Sequence, residues 1–335
     1  MSKGQKLIEE INIIIRFLKK KIFAVVVISL VILLGGSYFT NEQKEEDFSQ
    51  EEVTVVDNNK VNTLSQPEVF VSAVQLEQGD TLTVMVENLS LGEKTTGEFD
   101  GQSFDFFPIG TDGKQMAIVG IDARKTPGNY SLSIFIPGKD NIKKTITIKK
   151  RNFPVTEFAL TPELEEKGYT PSNIVENIST NEGVLIWKVL EKYTLESYFD
   201  KPFVYPLDLI VDVGAFGNIR KKGDVTLRHL GVDLDAFVGT PVYAINDGIV
   251  SFIQELTVYG KMIIIDHGLG IYSLYLHLNE FKVAKGDKVT RGEVIGLSGS
   301  TGYSLGPHLH LSIKAKGASV DPLRFIDTLN KNLPR

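Results

Sequence analysis

Two histidines stand one residue apart in the stretch GPHLHL (306–311), and both side chains could do chemistry. On a β-strand, residues two apart leave the same face, so His308 and His310 would present their imidazoles together, about 6–7 Å apart at Cα. Neutral imidazole is a common metal ligand and a general base. A His-x-His pair alone is a weak signal, because a half-buried strand can carry two histidines on its wet face without any function.

Further candidates for chemistry lie upstream of this pair. His229 and Asp233 are separated by three residues in RHLGVDLDAFV, where Gly231 and the alternating apolar residues favour a loop that runs into a strand. Such a loop still allows the two side chains to converge. His267 and His277 flank a predicted hairpin in KMIIIDHGLGIYSLYLHLNEF (261–281).

All five histidines therefore lie in the last third of the chain, and the chain has no cysteine. Any metal must then be held by His, Asp or Glu. Four histidines and an aspartate near three strand ends exceed what packing requires. A zinc site with two His, one Asp and an open fourth position would use them economically.

Taken together, these segments resemble the lysostaphin/LytM-type zinc metallopeptidases, which cut the peptides of bacterial peptidoglycan. The resemblance covers roughly residues 203–325 and rests on HLGVD (229–233), the GTPVYA run, the DHGLG hairpin, Y-x-H-L and GPHLHL, in this order. It implies a duplicated, lipoyl-like hybrid β fold for the catalytic domain. It also implies that His229, Asp233 and His310 are the zinc ligands. His277 and His308 would be two active-site histidines beside the metal, and His267 would be structural.

The implied reaction is hydrolysis of a peptide bond by a zinc-activated water. One of His277 and His308 would hold or deprotonate the water, and the other would stabilise the oxyanion or protonate the leaving amine. Two stretches depart from the family pattern. GNIRKKGDVTLR (217–228) lacks a tyrosine that some members use to steady the transition state, and LIVDVGAFG (209–217) is an unusual entry strand.

Two other functions compete with the hydrolase. Some relatives have lost zinc residues and regulate other wall enzymes, so a zinc-binding but inactive regulator is the first alternative. The second is a membrane-fusion-type adaptor, because KVAKGDKVTRGEVIG resembles a lipoyl-like hairpin. The adaptor leaves HLGVD and PHLHL unexplained and predicts a long heptad hairpin that the sequence lacks.

The N-terminus predicts a membrane anchor. Residues 22–39 carry no charge and are about long enough to span hydrocarbon. Six Lys/Arg and two Glu precede this stretch, whereas seven acids and one Lys follow it in residues 40–57. The basic side is expected inside, so the protein would be a single-pass protein of the cytoplasmic membrane with its catalytic domain outside. A cleaved signal peptide is the rival interpretation, but 21 preceding residues are long for its n-region.

The predicted fold class is mainly β, divided into seven segments. These are a cytoplasmic basic segment (1–21), the transmembrane helix (22–39), an acidic flexible stalk (40–66), an Ig-like β-sandwich (67–150), a helical connector (151–201), the zinc metallopeptidase domain (202–327) and a tail (328–335). The sandwich holds no histidine, which favours a spacer or regulatory role. In the connector, Thr161-Pro162 and Thr170-Pro171 are typical of helix starts, and residues 181–193 predict a further helix.

Charge and context predict the partners. A formal net charge of -6 argues against a nucleic-acid surface. The expected partners are the peptidoglycan peptide, the lipid bilayer through residues 22–39, and a cell-wall or division-complex protein.

Overall fold

The computed structural model describes residues 66–90 and 92–333. Nine strands come first and form two packed sheets, ordered β1-β3-β7-β6 and β2-β9-β8-β4-β5. The bounds are β1 (Glu68–Val71), β2 (Gln75–Glu77), β3 (Thr81–Glu87), β4 (Thr96–Phe99), β5 (Gln102–Asp105), β6 (Phe107–Pro108), β7 (Gln115–Gly120), β8 (Gly128–Phe135) and β9 (Ile142–Lys149). Alternate residues such as Leu82, Val84, Leu132 and Ile134 fill the space between the sheets.

A short connector follows, with β10 (Val155–Glu157), α1 (Pro162–Glu166), α2 (Pro171–Glu176), a π-helical turn (Asn177–Asn181) and α3 (Glu182–Leu190). Thr161 and Thr170 cap α1 and α2 with their side chains, each ahead of a proline in the first turn. The helix predicted over residues 181–193 is shorter in the structure, where α3 covers Glu182–Leu190. Buried Glu182 accepts hydrogen bonds from the backbone N–H groups of Val258 and Tyr259, which fixes α3 to the following sheet.

The C-terminal part is built around an eight-stranded sheet, ordered β11-β14-β22-β18-β17-β16-β20 with β23 on β22. A second sheet, β15-β21-β19, packs near it, and β12 and β13 form a hairpin beside β10. The bounds are β11 (Asp212–Gly214), β12 (Ile219–Lys222), β13 (Val225–Arg228), β14 (Val232–Asp235), β15 (Pro241–Tyr243), β16 (Gly248–Leu256), β17 (Gly260–Asp266), β18 (Ile271–Leu278), β19 (Glu280–Phe281), β20 (Lys288–Val289), β21 (Val294–Leu297), β22 (His308–Ala315), β23 (Ala318–Val320) and α4 (Pro322–Asn332).

The sandwich and the C-terminal sheet share one hydrophobic core, which the sequence did not indicate. On β7, Ala117 faces the inside of the sandwich, whereas Met116 and Ile118 join the cluster that contains Leu311 and Phe325. Strand β7 is therefore buried on both faces. The sandwich is packed against the rest of the described chain and is not separated from it.

This shared core predicts coupled unfolding. Met116 has no exposed surface, so Met116→Ala should cost about 2–5 kcal/mol. Urea unfolding would be followed by far-UV circular dichroism, which reports on all strands, and by the near-UV tyrosine bands. The tyrosine bands report mainly on the part that follows the sandwich, since Tyr130 is the only sandwich tyrosine. Both midpoints should fall together. An unchanged tyrosine midpoint beside a lowered far-UV midpoint would show that the two parts unfold separately.

The predicted mainly β class is confirmed for the described residues, which contain few helices. None of the helices within 66–90 and 92–333 is long and apolar enough to cross a membrane. The anchor predicted at 22–39 lies outside the described residues.

Candidate active site

The eight-stranded sheet places three of the predicted site residues on one face. Strands β14 and β22 run antiparallel, with Asp233 directly opposite His310 and Asp235 opposite His308. The intervening Leu309 and Leu311 point into the core on the other face. The period of two predicted for GPHLHL is what the structure has.

His229 reaches the same face from the turn before β14. Gly231 makes this approach possible, because a Cβ at that position would collide with the His310 imidazole and the Ser312 hydroxyl. A side chain at residue 231 would therefore push the turn away from β22.

Three atoms that could ligate a metal converge at this point. His229 Nε2 lies 2.9 Å from Asp233 Oδ1, His310 Nδ1 lies 2.8 Å from the same oxygen, and the two nitrogens are 2.9 Å apart. All three atoms are close enough together to bind one metal ion. The side chains are largely buried.

The outer ring nitrogens show which tautomer each histidine adopts. His229 Nδ1 lies 3.0 Å from the Ala215 carbonyl, which can only accept, so this nitrogen carries the proton. Ser312 Oγ donates to the Leu230 carbonyl and must accept from His310 Nε2 at 2.9 Å. When the rings are neutral, the inward nitrogens of His229 and His310 are therefore the ones free to bind a metal.

With both rings neutral, three acceptor atoms face one another around one point. This arrangement is repulsive for the protein alone and is relieved by a cation at the centre. Two neutral imidazoles and a carboxylate with an open fourth position are the donor set of a catalytic zinc ion. The residues fit the predicted metal.

Arg220 holds the second oxygen of the aspartate. Its Nη2 lies 3.1 Å from Asp233 Oδ2, so Oδ1 is the oxygen left for the metal. Arg220 belongs to GNIRKKGDVTLR, the stretch without the family tyrosine. Sequence reasoning missed it, since nothing in the spacing indicates that β12 reaches β14.

His277 reaches the site through a β-bulge. Between β17 and β18, Ile263 pairs with Tyr275 and Lys261 with Leu278, so two residues of β18 face one of β17. His277 takes a left-handed backbone conformation there, with φ 60°. The bulge turns its side chain to the same face as Leu276, where its ring lies 4.9 Å from that of His308 and 6.0 Å from that of His310, between centroids.

Both of these non-ligand histidines are held by backbone carbonyls. His277 Nδ1 donates to Thr301 O and His308 Nδ1 to Gly306 O, each at 2.8 Å. Burial and the neighbouring imidazoles of His308 and His310 lower the pKa of His277 to about 3. His308 Nε2 lies 3.6 Å from Asp233 Oδ1. Each histidine therefore has its Nε2 available for a proton near the donor triangle.

His267 lies away from this group, as expected. It is fully buried, its Nδ1 donates to the Asp247 carbonyl at 2.7 Å, and its Nε2 lies 2.8 Å from Ser273 Oγ. Burial lowers the pKa of His267 to about 4, so it is a neutral packing residue at pH 7.

A cleft of about 1470 Å³ opens over the site. Helix α3 forms one wall, because it packs on the same sheet face as the ligands, over Met262, Leu274 and Leu276. Its cleft-facing stripe follows the helical period and consists of Gly183, Ile186, Trp187, Leu190 and Glu191. Sandwich residues Gln102, Ser103 and Arg124 and the loop residue Tyr303 also line the cleft.

The sandwich, for which the sequence favoured a spacer or regulatory role, therefore reaches the cleft. It contributes polar side chains to the cleft, although it holds no candidate catalytic residue. Tyr303, whose hydroxyl donates to the Ala159 carbonyl at 2.8 Å, was also missed from sequence.

The fold and the site together define a metallopeptidase-type β domain, and comparison with known proteins agrees. Residues 227–322 match Peptidase family M23, so this part of the chain is a Peptidase M23 domain. The predicted resemblance, the enzyme class and the zinc cofactor are confirmed at the level of that domain.

Several named proteins are similar over this region. Peptidoglycan DD-endopeptidase ShyA of Vibrio cholerae is 36% identical over 134 residues, 39% of this chain and 31% of that protein. DD-carboxypeptidase/endopeptidase Mpg of Neisseria meningitidis is 45% identical over 95 residues, 28% of this chain and 22% of that protein. The match thus spans less than a third of these relatives.

A solved structure from Pseudomonas aeruginosa, described as a peptidase M23, shares the fold over a longer stretch. It aligns with a TM-score of 0.51 and 23% identity, covering 74% of this chain and 93% of that chain. The alignment extends beyond the M23 domain itself.

Proposed function

We propose that the protein is a zinc metallo-endopeptidase that hydrolyses peptide bonds in bacterial cell-wall peptidoglycan. The observation that carries this proposal is the convergence of one ligand atom each from His229, Asp233 and His310, beside His277 and His308 in an open cleft. The name of the similar Vibrio protein supports peptidoglycan as the substrate, and the name of the similar Neisseria protein supports endopeptidase activity.

The three acceptors would hold zinc, which supplies a Lewis acid that activates water and polarises the scissile carbonyl. His277 and His308 present Nε2 atoms to the reacting group. One takes the proton of the attacking water, and the other donates a hydrogen bond to the developing oxyanion or a proton to the leaving amine. Arg220 orients Asp233, and the bonds to Ala215 and Ser312 keep the ligand rings in place.

The proposal extends to location. The charge asymmetry about residues 22–39 supports a single-pass anchor in the cytoplasmic membrane, with the cleft on the outer side where peptidoglycan lies.

Turnover of purified peptidoglycan tests the activity. The zinc-loaded chain from residue 41 onward should release new amino groups and leave the glycan strands intact, and a chelator should abolish the release. The same measurement on the detergent-solubilised full chain controls for the missing N-terminus. A protein that binds zinc tightly yet releases no amino groups would instead support the non-hydrolytic wall regulator.

A further inference from the structure

The floor of the cleft continues beyond the metal ligands along β22. Residues two apart on this strand share the site face, so His308, His310, Ser312 and Lys314 form one row. Lys314 lines the same cleft, and its Cα lies about 13 Å along the strand from that of His310. An extended peptide bound over the site and running along β22 would pass the Lys314 ammonium.

Lys314 has no carboxylate within ion-pair distance among the residues that the structure describes. Its Nζ donates to Ser319 Oγ, directly opposite on β23. The nearby Asp122 carboxylate is occupied by Arg124 at 2.9 Å and by the Ser319 N–H at 2.8 Å. An ammonium has three donors, so this partly buried cation keeps two that no neighbouring acid takes.

Burial changes the protonation equilibrium of the Lys314 ammonium. It lowers the pKa of Lys314 to about 8, which still leaves the side chain mostly charged at pH 7. A partly desolvated ammonium gains more from an anionic partner than an exposed one does.

The charge of the residues that line the cleft also favours an anionic ligand. The whole chain has 42 acids and 36 Lys/Arg, but the cleft lining reverses this balance. Six basic residues line it against three acids: Arg124, Lys192, Arg220, Arg228, Lys314 and Lys316 against Glu157, Glu191 and Asp233. Such a cleft attracts a negatively charged ligand.

Most of the other cleft cations are already engaged. Arg220 pairs with Asp233, Lys316 with Asp105 and Arg124 with Asp122. The Arg228 guanidinium stacks 4.9 Å from the Phe153 ring centroid, and its buried Nη1 has no hydrogen-bond partner among the described residues. Lys314 differs because it lies on the floor, in line with the histidines.

We propose that Lys314 binds a free carboxylate of the substrate peptide, about two to four residues from the bond that is cut. This inference rests on the proposed function and adds a substrate preference to it, namely acidic peptides over amidated ones. Lys314 is here a specificity-determining residue and takes no part in the proton transfers.

Matched substrates test the proposal without altering the protein. The probes are cross-linked peptidoglycan peptides with all carboxylates free, and the same peptides amidated at one carboxylate at a time. A hydrogen bond to a charged group contributes about 1.5–3 kcal/mol, so amidation of the bound carboxylate should lower kcat/KM about 10–100-fold, chiefly through KM. Amidation at other positions should have little effect.

Protein variants complete the cycle. Lys314→Met should reduce cleavage of the free peptide to the level of the amidated one and abolish the preference, and Lys314→Arg should restore it. Lys288→Met is the matched control, because it removes one exposed lysine from the same sheet outside the cleft. If no amidation changes kcat/KM in the unsubstituted protein, Lys314 binds no carboxylate, while the hydrolase proposal stands.

A binding measurement separates this inference from turnover. Trp187 is the single tryptophan of the chain and lines the cleft, so its fluorescence can report on peptide binding to the metal-free protein. The free peptide should bind about 10–100-fold tighter than the amidated one, and Lys314→Met should remove the difference. If no peptide is hydrolysed at all, the hydrolase proposal fails, and equal affinities in this titration would overturn the carboxylate site as well.

Discussion

His310→Ala is expected to lose both the bound zinc and all measurable peptidoglycan hydrolysis. The substitution removes one of three donor atoms and leaves Asp233 and His229 with an incomplete site. Loss of an outer hydrogen-bond partner typically costs 10–100-fold in metal affinity, and loss of a ligand should cost more. Elemental analysis and amino-group release, measured on the same purified protein, check the two parts of this result.

Two matched variants make the result specific. Ser312→Ala removes the partner of His310 Nε2 and should weaken zinc binding by about 10–100-fold without abolishing it. His267→Ala removes an imidazole from the same sheet and should keep its zinc and most activity, at some cost in stability. Undiminished zinc in His310→Ala would overturn the ligand assignment.

His308→Ala should fail in a different way from His310→Ala, although the two residues are neighbours on one strand face. It should keep zinc and lose about 10²–10⁴-fold in turnover, the usual contribution of a general acid–base or an oxyanion donor. His277→Ala should behave in the same way, because its ring lies 4.9 Å from that of His308 and is also held by a carbonyl.

The same two assays decide between the alternatives. If His308→Ala lost zinc while His310→Ala kept it, the roles of the two histidines would be exchanged. If both variants kept zinc and full activity, the strand would carry its histidines for packing alone.

Strand periodicity was enough to predict part of the site. The alternation in GPHLHL predicted that His308 and His310 share one strand face, because this feature depends on residues close in sequence. The resemblance to a known family supplied the roles that periodicity could not.

Other features depend on contacts between distant segments, which one sequence does not reveal. Period two alone would point His277 away from Leu276, and only the bulge opposite β17 brings both to one face. The ion pair of Arg220 with Asp233 and the burial of Met116 against the C-terminal core likewise require the folded chain.

The left-handed backbone at His277 sets stability against function at a single position. A non-glycine residue at φ 60° costs about 1 kcal/mol relative to glycine or asparagine, which tolerate this conformation. A laboratory selection for thermal resistance alone would therefore favour Asn at residue 277, which tolerates this conformation and retains a side-chain N–H donor, and would discard the imidazole. Selection that also demanded turnover would retain histidine there. The frequency of histidine at residue 277 in the two selected populations would measure how strongly catalysis opposes relief of the backbone strain.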